Sequence, residues 1–137
     1  MGSFKYIREN ERKIYEDRGF LLKIQGEPIT VRVDRPTKLT KAKSLGYKAK
    51  QGYIIVRTRV AKGSYRRPRP THARRPSKTG LYFNLDISKK KIAEFRASRV
   101  YKNMQVLGSY LVAKNGQYDW FEIVMKDPIL ADNKSAR

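Results

Sequence analysis

The stretch Gln105–Met125, QVLGSYLVAKNGQYDWFEIVM, reads as two strands around one turn. Segments 105–113 and 117–125 are rich in β-branched and aromatic residues, which suit a pleated, half-buried surface. Asn115-Gly116 stands between them, the dipeptide that best tolerates positive φ at both central positions of a type I′ turn. Successive strand residues point to opposite faces. Phe121, Ile123 and Met125 therefore mark one face of the second segment, and Tyr118, Trp120 and Val124 the other. Pro128 cannot donate to a ladder and ends the hairpin.

Working back from the hairpin, Asp86 or Ser88 can cap a helix that runs to about Asn103, with Ile92, Ala93, Ala97, Val100 and Met104 as its apolar stripe. Tyr53–Val60 is a strand with Ile54, Val56, Thr58 and Val60 on one face. Tyr53, Ile55, Arg57 and Arg59 lie on the other, and both faces start apolar, which predicts a central position. A short helix follows Pro36: Thr37 can cap it, Leu39, Ala42 and Leu45 recur at helical spacing, and Gly46 suits the left-handed residue that ends it. Ile29, Val31 and Val33 alternate with Thr30 and Arg32 in a further strand. Residues 4–25 read as helical, with Phe4, Ile7, Ile14, Leu21 and Leu22 roughly on one face and an interruption at Gly19.

Residues 61–83 differ in kind. The run SYRRPRPTHARRPSKTG is rich in Arg and Pro and poor in aliphatics, so it cannot bury itself and is expected to be an extended basic loop. Residues 129–137 are expected to form a short tail. The order of elements predicts one α+β domain over residues 1–137, with a single four-stranded sheet and helices packed on it.

Charge narrows the function. The 137 residues hold 32 Lys and Arg against 12 Asp and Glu, a net charge of +20 that opposes compaction unless a polyanion neutralises it. The 51 residues 35–85 contain no acid and 15 Lys and Arg, whereas ordinary solvated surfaces intersperse both signs. An anionic membrane is the rival partner, but it would want a basic amphipathic helix or a lipidation site, and neither is convincing. No apolar run of bilayer-spanning length occurs. With no cysteine, disulfides and thiolate metal sites are excluded. His72 is the only histidine, and Asp34, Asp86 and Asp127 are scattered near element ends. The sequence offers no metal set, no phosphate-cradling glycine motif and no catalytic constellation, so no enzyme, cofactor or small-molecule substrate is expected.

Two constellations suit nucleic acid. In Gly46-Tyr47-Lys48-Ala49-Lys50-Gln51-Gly52, glycines allow close backbone approach to phosphate and the lysines neutralise it; Tyr47 could stack on an unpaired base or cap the core. The plain alternative is a helix-to-strand loop with solvated lysines. Arg66, Arg67, Arg69, Arg74 and Arg75, interleaved with prolines, and Lys78 beyond them suit a polyanion of any kind, since the Arg fork matches phosphate oxygens.

At this point the chain resembles a known family, large-subunit ribosomal protein fifteen of the archaeal and eukaryotic type, which is unrelated to the bacterial protein of that number. The likeness rests on Met1–Glu9 (MGSFKYIRE), Arg35–Pro70 (RPTKLTKAKSLGYKAKQGYIIVRTRVAKGSYRRPRP) and Val106–Pro128 (VLGSYLVAKNGQYDWFEIVMKDP), with Ala93-Glu94 and Arg96-Ala97 in the intervening helix. It spans most of the chain in order. It implies a β-α-β-α-β-β order, an antiparallel sheet and a structural role on large-subunit ribosomal RNA beside neighbouring ribosomal proteins, in the cytoplasm. It also implies RNA contact at Arg35, Lys41, Lys43, Tyr47, Lys48, Lys50, Arg57, Arg59, Arg66, Arg67 and Arg69; Arg74, Arg75 and Lys78 rest on charge alone. The likeness departs after Asp127-Pro128, where members of the family continue in a strongly basic extension and this sequence runs through the near-neutral ILADNKSAR. A free-standing basic nucleic-acid chaperone or architectural protein is the alternative reading.

Overall fold

The computed structural model describes residues 3–14, 17–63, 65–66, 72, 82–83 and 85–132. The elements follow as α1 (Phe4–Lys13), α2 (Arg18–Gln25), β1 (Thr30–Val33), α3 (Leu39–Ser44), β2 (Tyr53–Ala61), β3 (Tyr65–Arg66), β4 (Tyr82–Phe83), α4 (Lys89–Val100), β5 (Gln105–Lys114), β6 (Tyr118–Lys126) and α5 (Pro128–Asp132). It is an α+β fold. The main sheet is antiparallel with strand order β1-β2-β6-β5.

The two central strands, β2 and β6, pair along their whole length, from Tyr53 opposite Lys126 to Ala61 opposite Tyr118. Both faces of the sheet are covered, which is why these strands carry apolar residues on both sides. On one face Ile55, Trp120, Val124, Tyr110 and Val112 meet Ile24 of α2 and Ala42 of α3. On the other, Val56, Val60, Phe121, Ile123 and Met125 meet Ala93 and Ala97 of α4. Full burial of side chains of this size contributes roughly 1.5–3 kcal/mol each. The small alanines let the helix backbones approach the sheet closely. Gly108 does the same from the strand side: a Cβ there would lie 2.9 Å from Leu45 Cδ2.

The face assignments for β2 and β6 agree with the alternation read from sequence. Several local expectations do not. The helix over residues 4–25 is two helices. α1 ends at Lys13, and Gly19 lies inside the first turn of α2, where Asp17 caps by accepting from the Gly19 N–H at 2.8 Å. Ile29 is exposed and precedes β1. Thr37 does not cap α3, because its hydroxyl and N–H both donate to Glu122. Ser88 caps α4, and Val100 at that helix's end is exposed rather than part of the packed stripe.

The β5–β6 turn also differs from expectation. Neither Asn115 nor Gly116 has positive φ. The Asn115 side-chain oxygen instead accepts from the N–H groups of Gln117 and Tyr118, at 2.8 and 2.6 Å. An Asx turn of this kind supplies with one side chain the bonds that an unusual backbone would otherwise make. Within the span expected to be a wholly extended loop, β3 and β4 pair antiparallel, with Tyr65 opposite Phe83 and Arg66 opposite Tyr82. The expected tail begins with α5, whose first N–H groups are capped by Asp127. Gly46 does have positive φ, +92°, after α3.

Candidate nucleic-acid interface

The segment from Asp34 to Gly52 carries α3 between two turns and presents Arg35, Lys41, Lys43, Lys48 and Lys50 as exposed side chains. Gly46 and Gly52 bracket the second turn with φ of +92° and +85°. The Lys43 ammonium lies 5.8 Å from the Phe4 ring centroid and that of Lys50 lies 5.9 Å from the Tyr53 ring centroid, so each head rests over an aromatic face while its side chain stays exposed. Among the described residues, no carboxylate lies within ion-pairing distance of Arg35, Lys41, Lys43 or Lys48. Tyr47 is half-buried against the Trp120 side of the core, which makes it a cap on that core. Lys50 also lines a groove of about 670 Å³ together with Arg32, Asp34, Tyr53 and Asp127.

Arg57 is a correction. It sits in the middle of β2, only 6% exposed, and its guanidinium is fully engaged inside the fold. Its Nη1 donates to both oxygens of Glu27 at 2.8 and 2.9 Å, and its Nη2 donates to Glu122 at 2.9 Å and to the Thr37 hydroxyl at 3.0 Å. Although burial opposes its charge, the neighbouring Glu122 and Glu27 carboxylates outweigh that and raise its pKa. The guanidinium N–H groups of Arg57 thus find their partners inside the fold. Arg59, two residues on, is half-exposed; its Nη1 donates to the Gln25 carbonyl at 3.2 Å and its guanidinium lies 5.1 Å from the Tyr118 ring. Of the basic-loop residues, Arg66 lies in β3, and Arg67, Arg69, Arg74, Arg75 and Lys78 lie outside the described residues.

The residue that sequence reasoning missed is Glu122. It is completely buried in β6, directly opposite Arg57 on β2 and Tyr110 on β5. Besides Arg57, it accepts from the Tyr110 hydroxyl at 2.6 Å and from the Thr37 N–H at 3.0 Å. It thereby ties the turn that begins the lysine-bearing segment to the centre of the sheet. A signal was present: an acid flanked by Trp120-Phe121 and Ile123-Val124, in a strand apolar on both faces, has no wet side to occupy. Lys38 is a second inward cation, donating to the Leu111 carbonyl at 2.6 Å. Burial lowers its pKa to about 8, against the attraction of Glu122 and Glu11.

Other acids are similarly committed. Asp119 faces Lys89 at 3.1 Å and Lys62 at 3.5 Å, Glu94 accepts from Ser109 and Lys91, and Glu11 accepts from Thr40. Among the described residues no group of His, Cys, Asp and Glu could hold a metal ion, and no helix is long and apolar enough to cross a membrane.

Fold and surface thus define a class, a small and strongly cationic α+β protein whose acids largely serve internal contacts. The particular family follows from comparison. A family model described as ribosomal L15 matches residues 2–135, and the chain belongs to that family, whose members are large-subunit ribosomal constituents of the archaeal and eukaryotic type.

Proposed function

We propose that this chain binds and stabilises large-subunit ribosomal RNA as a non-catalytic ribosomal constituent in the cytoplasm, beside neighbouring ribosomal proteins. The observation that carries the reading is the division of charge. Arg35, Lys41, Lys43 and Lys48 stand exposed and reach no described carboxylate, while Glu122, Glu27, Asp119 and Glu94 are engaged within the fold. Lysines held this way neutralise phosphates and displace condensed counterions, so affinity comes from the backbone of the RNA more than from its bases. Arg59 joins this set at the sheet end. Arg66, Arg67, Arg69, Arg74, Arg75 and Lys78 extend it on charge, and Arg57 is withdrawn from it.

The test is salt dependence. Binding to large-subunit ribosomal RNA should fall linearly in log–log form as salt rises, with a slope of roughly 0.7 to 0.9 for each phosphate neutralised. An affinity nearly independent of salt would refute the reading. Co-sedimentation with large subunits through a high-salt wash separates a ribosomal constituent from a free-standing nucleic-acid chaperone, which would wash off.

A further inference from the structure

A cleft of about 440 Å³ lies between α1 and α3, lined by Arg8, Glu11 and Arg12 on one side and by Lys38, Thr40 and Lys41 on the other. Residues three and four apart share a helix face. Arg8, Glu11 and Arg12 therefore project together from α1. Among the described residues, the result is four cations around a single carboxylate. That carboxylate is already engaged, since Glu11 accepts from the Thr40 N–H at 2.8 Å and from the Thr40 hydroxyl. Arg8, Arg12 and Lys41 are exposed, and no described carboxylate reaches ion-pairing distance of any of them. α1 buries no residue of its own. Its seating on α3 rests on Glu11 with Thr40 and on Phe4 beneath the Lys43 ammonium.

We propose that the α1–α3 cleft is a binding site for an RNA phosphodiester, gripped by Arg8, Arg12 and Lys41, with the Glu11 carboxylate held beside it on Thr40 as a nearby negative charge that weakens the grip. This rests on the RNA reading above and adds to it a site on α1 that composition does not single out. Two guanidinium forks match the free oxygens of one phosphate. Lys43, exposed and held over the Phe4 ring at the start of α1, extends the cations beyond the cleft, and no described carboxylate reaches ion-pairing distance of it. That continuity favours RNA over an acidic peptide.

The experiment uses the full chain and protein-free large-subunit ribosomal RNA, with poly-glutamate as a competitor. Arg8→Gln with Arg12→Gln should lower the log–log salt slope by about 0.7–0.9, the share of one phosphate contact. Lys90→Gln with Lys102→Gln removes the same charge from exposed positions in and just after α4, on the opposite face, and should move the slope by less than about half that. Glu11→Gln should tighten binding severalfold, whereas Asp86→Asn, an equal change of charge at an exposed site, should shift it less than twofold. Circular dichroism checks that each variant keeps its helices. Equal losses in the two cation pairs, no gain in Glu11→Gln, or poly-glutamate competing as well as RNA would each overturn the proposal. A wild-type protein with no salt-dependent RNA binding would instead sink the underlying reading, a result distinct from normal wild-type binding with an unaffected Arg8/Arg12 variant.

Discussion

Glu122 and Arg57 are each expensive to bury, and each is tolerated because the other is there. Removing one member of a buried pair strands the remaining charge, at a cost of roughly 3–5 kcal/mol, whereas replacing both by apolar residues of similar volume is often near neutral. Glu122→Gln should therefore shift the urea midpoint strongly, as read by Trp120 fluorescence, because Arg57, Tyr110 and Thr37 all donate to the lost carboxylate. Arg57→Met combined with Glu122→Leu should cost less than the sum of the single changes. A single change that leaves the midpoint in place would mean that the network does not hold the sheet.

Lys38 makes a second prediction at this scale, and its sign is the reverse of the usual pairing case. Its folded pKa is about 8, against 10.5 for an ordinary lysine, because burial disfavours the charged form. Between those values the unfolded chain binds more protons, so stability rises with pH. Tyr110 acts oppositely and later. Burial, and then the adjacent Glu122, push its pKa above 10, so its contribution lowers stability once unfolded tyrosine begins to ionise. From about pH 8 to 9, before unfolded tyrosine ionises appreciably, the Lys38 effect is thus separable, with a slope of at most about 1.4 kcal/mol per pH unit. Lys38→Met should flatten the difference in urea midpoint over that window. Identical pH profiles for the variant and the wild type would contradict it.

At the scale of elements, alternation made β2 and β6 legible because every residue there reports on a face, and two apolar faces meant two covering layers. The β5–β6 turn was legible in place but not in mechanism. Asn-Gly suits a left-handed turn, yet the Asn115 side chain here satisfies the Gln117 and Tyr118 N–H groups directly and leaves Gly116 at ordinary φ. The two residues therefore exchange importance. Asn115→Ala should cost about 1 kcal/mol through lost hydrogen bonds. Gly116→Ala should cost almost nothing, because a Cβ there meets nothing within 4 Å. A denaturant titration ranking them in the opposite order would restore the left-handed turn. The break between α1 and α2 was misplaced for a related reason. Gly19 was the obvious breaker, but the Asp17 carboxylate, which captures the Gly19 N–H, starts a helix instead.

Over the whole molecule, the long acid-free stretch was legible as one cationic region, but composition alone could not sort its members. Arg57 and Lys38 belong to that stretch and face inward, while Lys41, Lys43 and Lys48 face outward. What separates them is the partner across the sheet, Glu122 or the Leu111 carbonyl, and such a partner emerges only once the strands are paired in register. Arg8 and Arg12 went unnoticed because α1 mixes both charges and only its packing against α3 sets them beside Lys41.

This division of charge has a consequence for the protein without its RNA. A net charge of +20 repels itself most strongly when the chain is compact. Raising salt from about 0.1 to 1 M shortens the screening length from about 10 to 3 Å and weakens that repulsion. The same change would weaken exposed ion pairs, but the Arg57–Glu122 pair is shielded by burial, and the partly exposed pairs among the described residues, Lys89 and Lys62 with Asp119 and Lys91 with Glu94, are each of small worth. Self-repulsion should win. The urea midpoint of the free protein should rise with sodium chloride over the range in which RNA affinity falls. Ile123→Ala, which opens the fully buried core beneath α4, should lower the midpoint at every salt concentration without altering its upward trend. A midpoint that falls as chloride is added would mean that surface ion pairs outweigh repulsion. The exposed lysines would then already be compensated within the chain, and the case for an external polyanion would lose its physical basis.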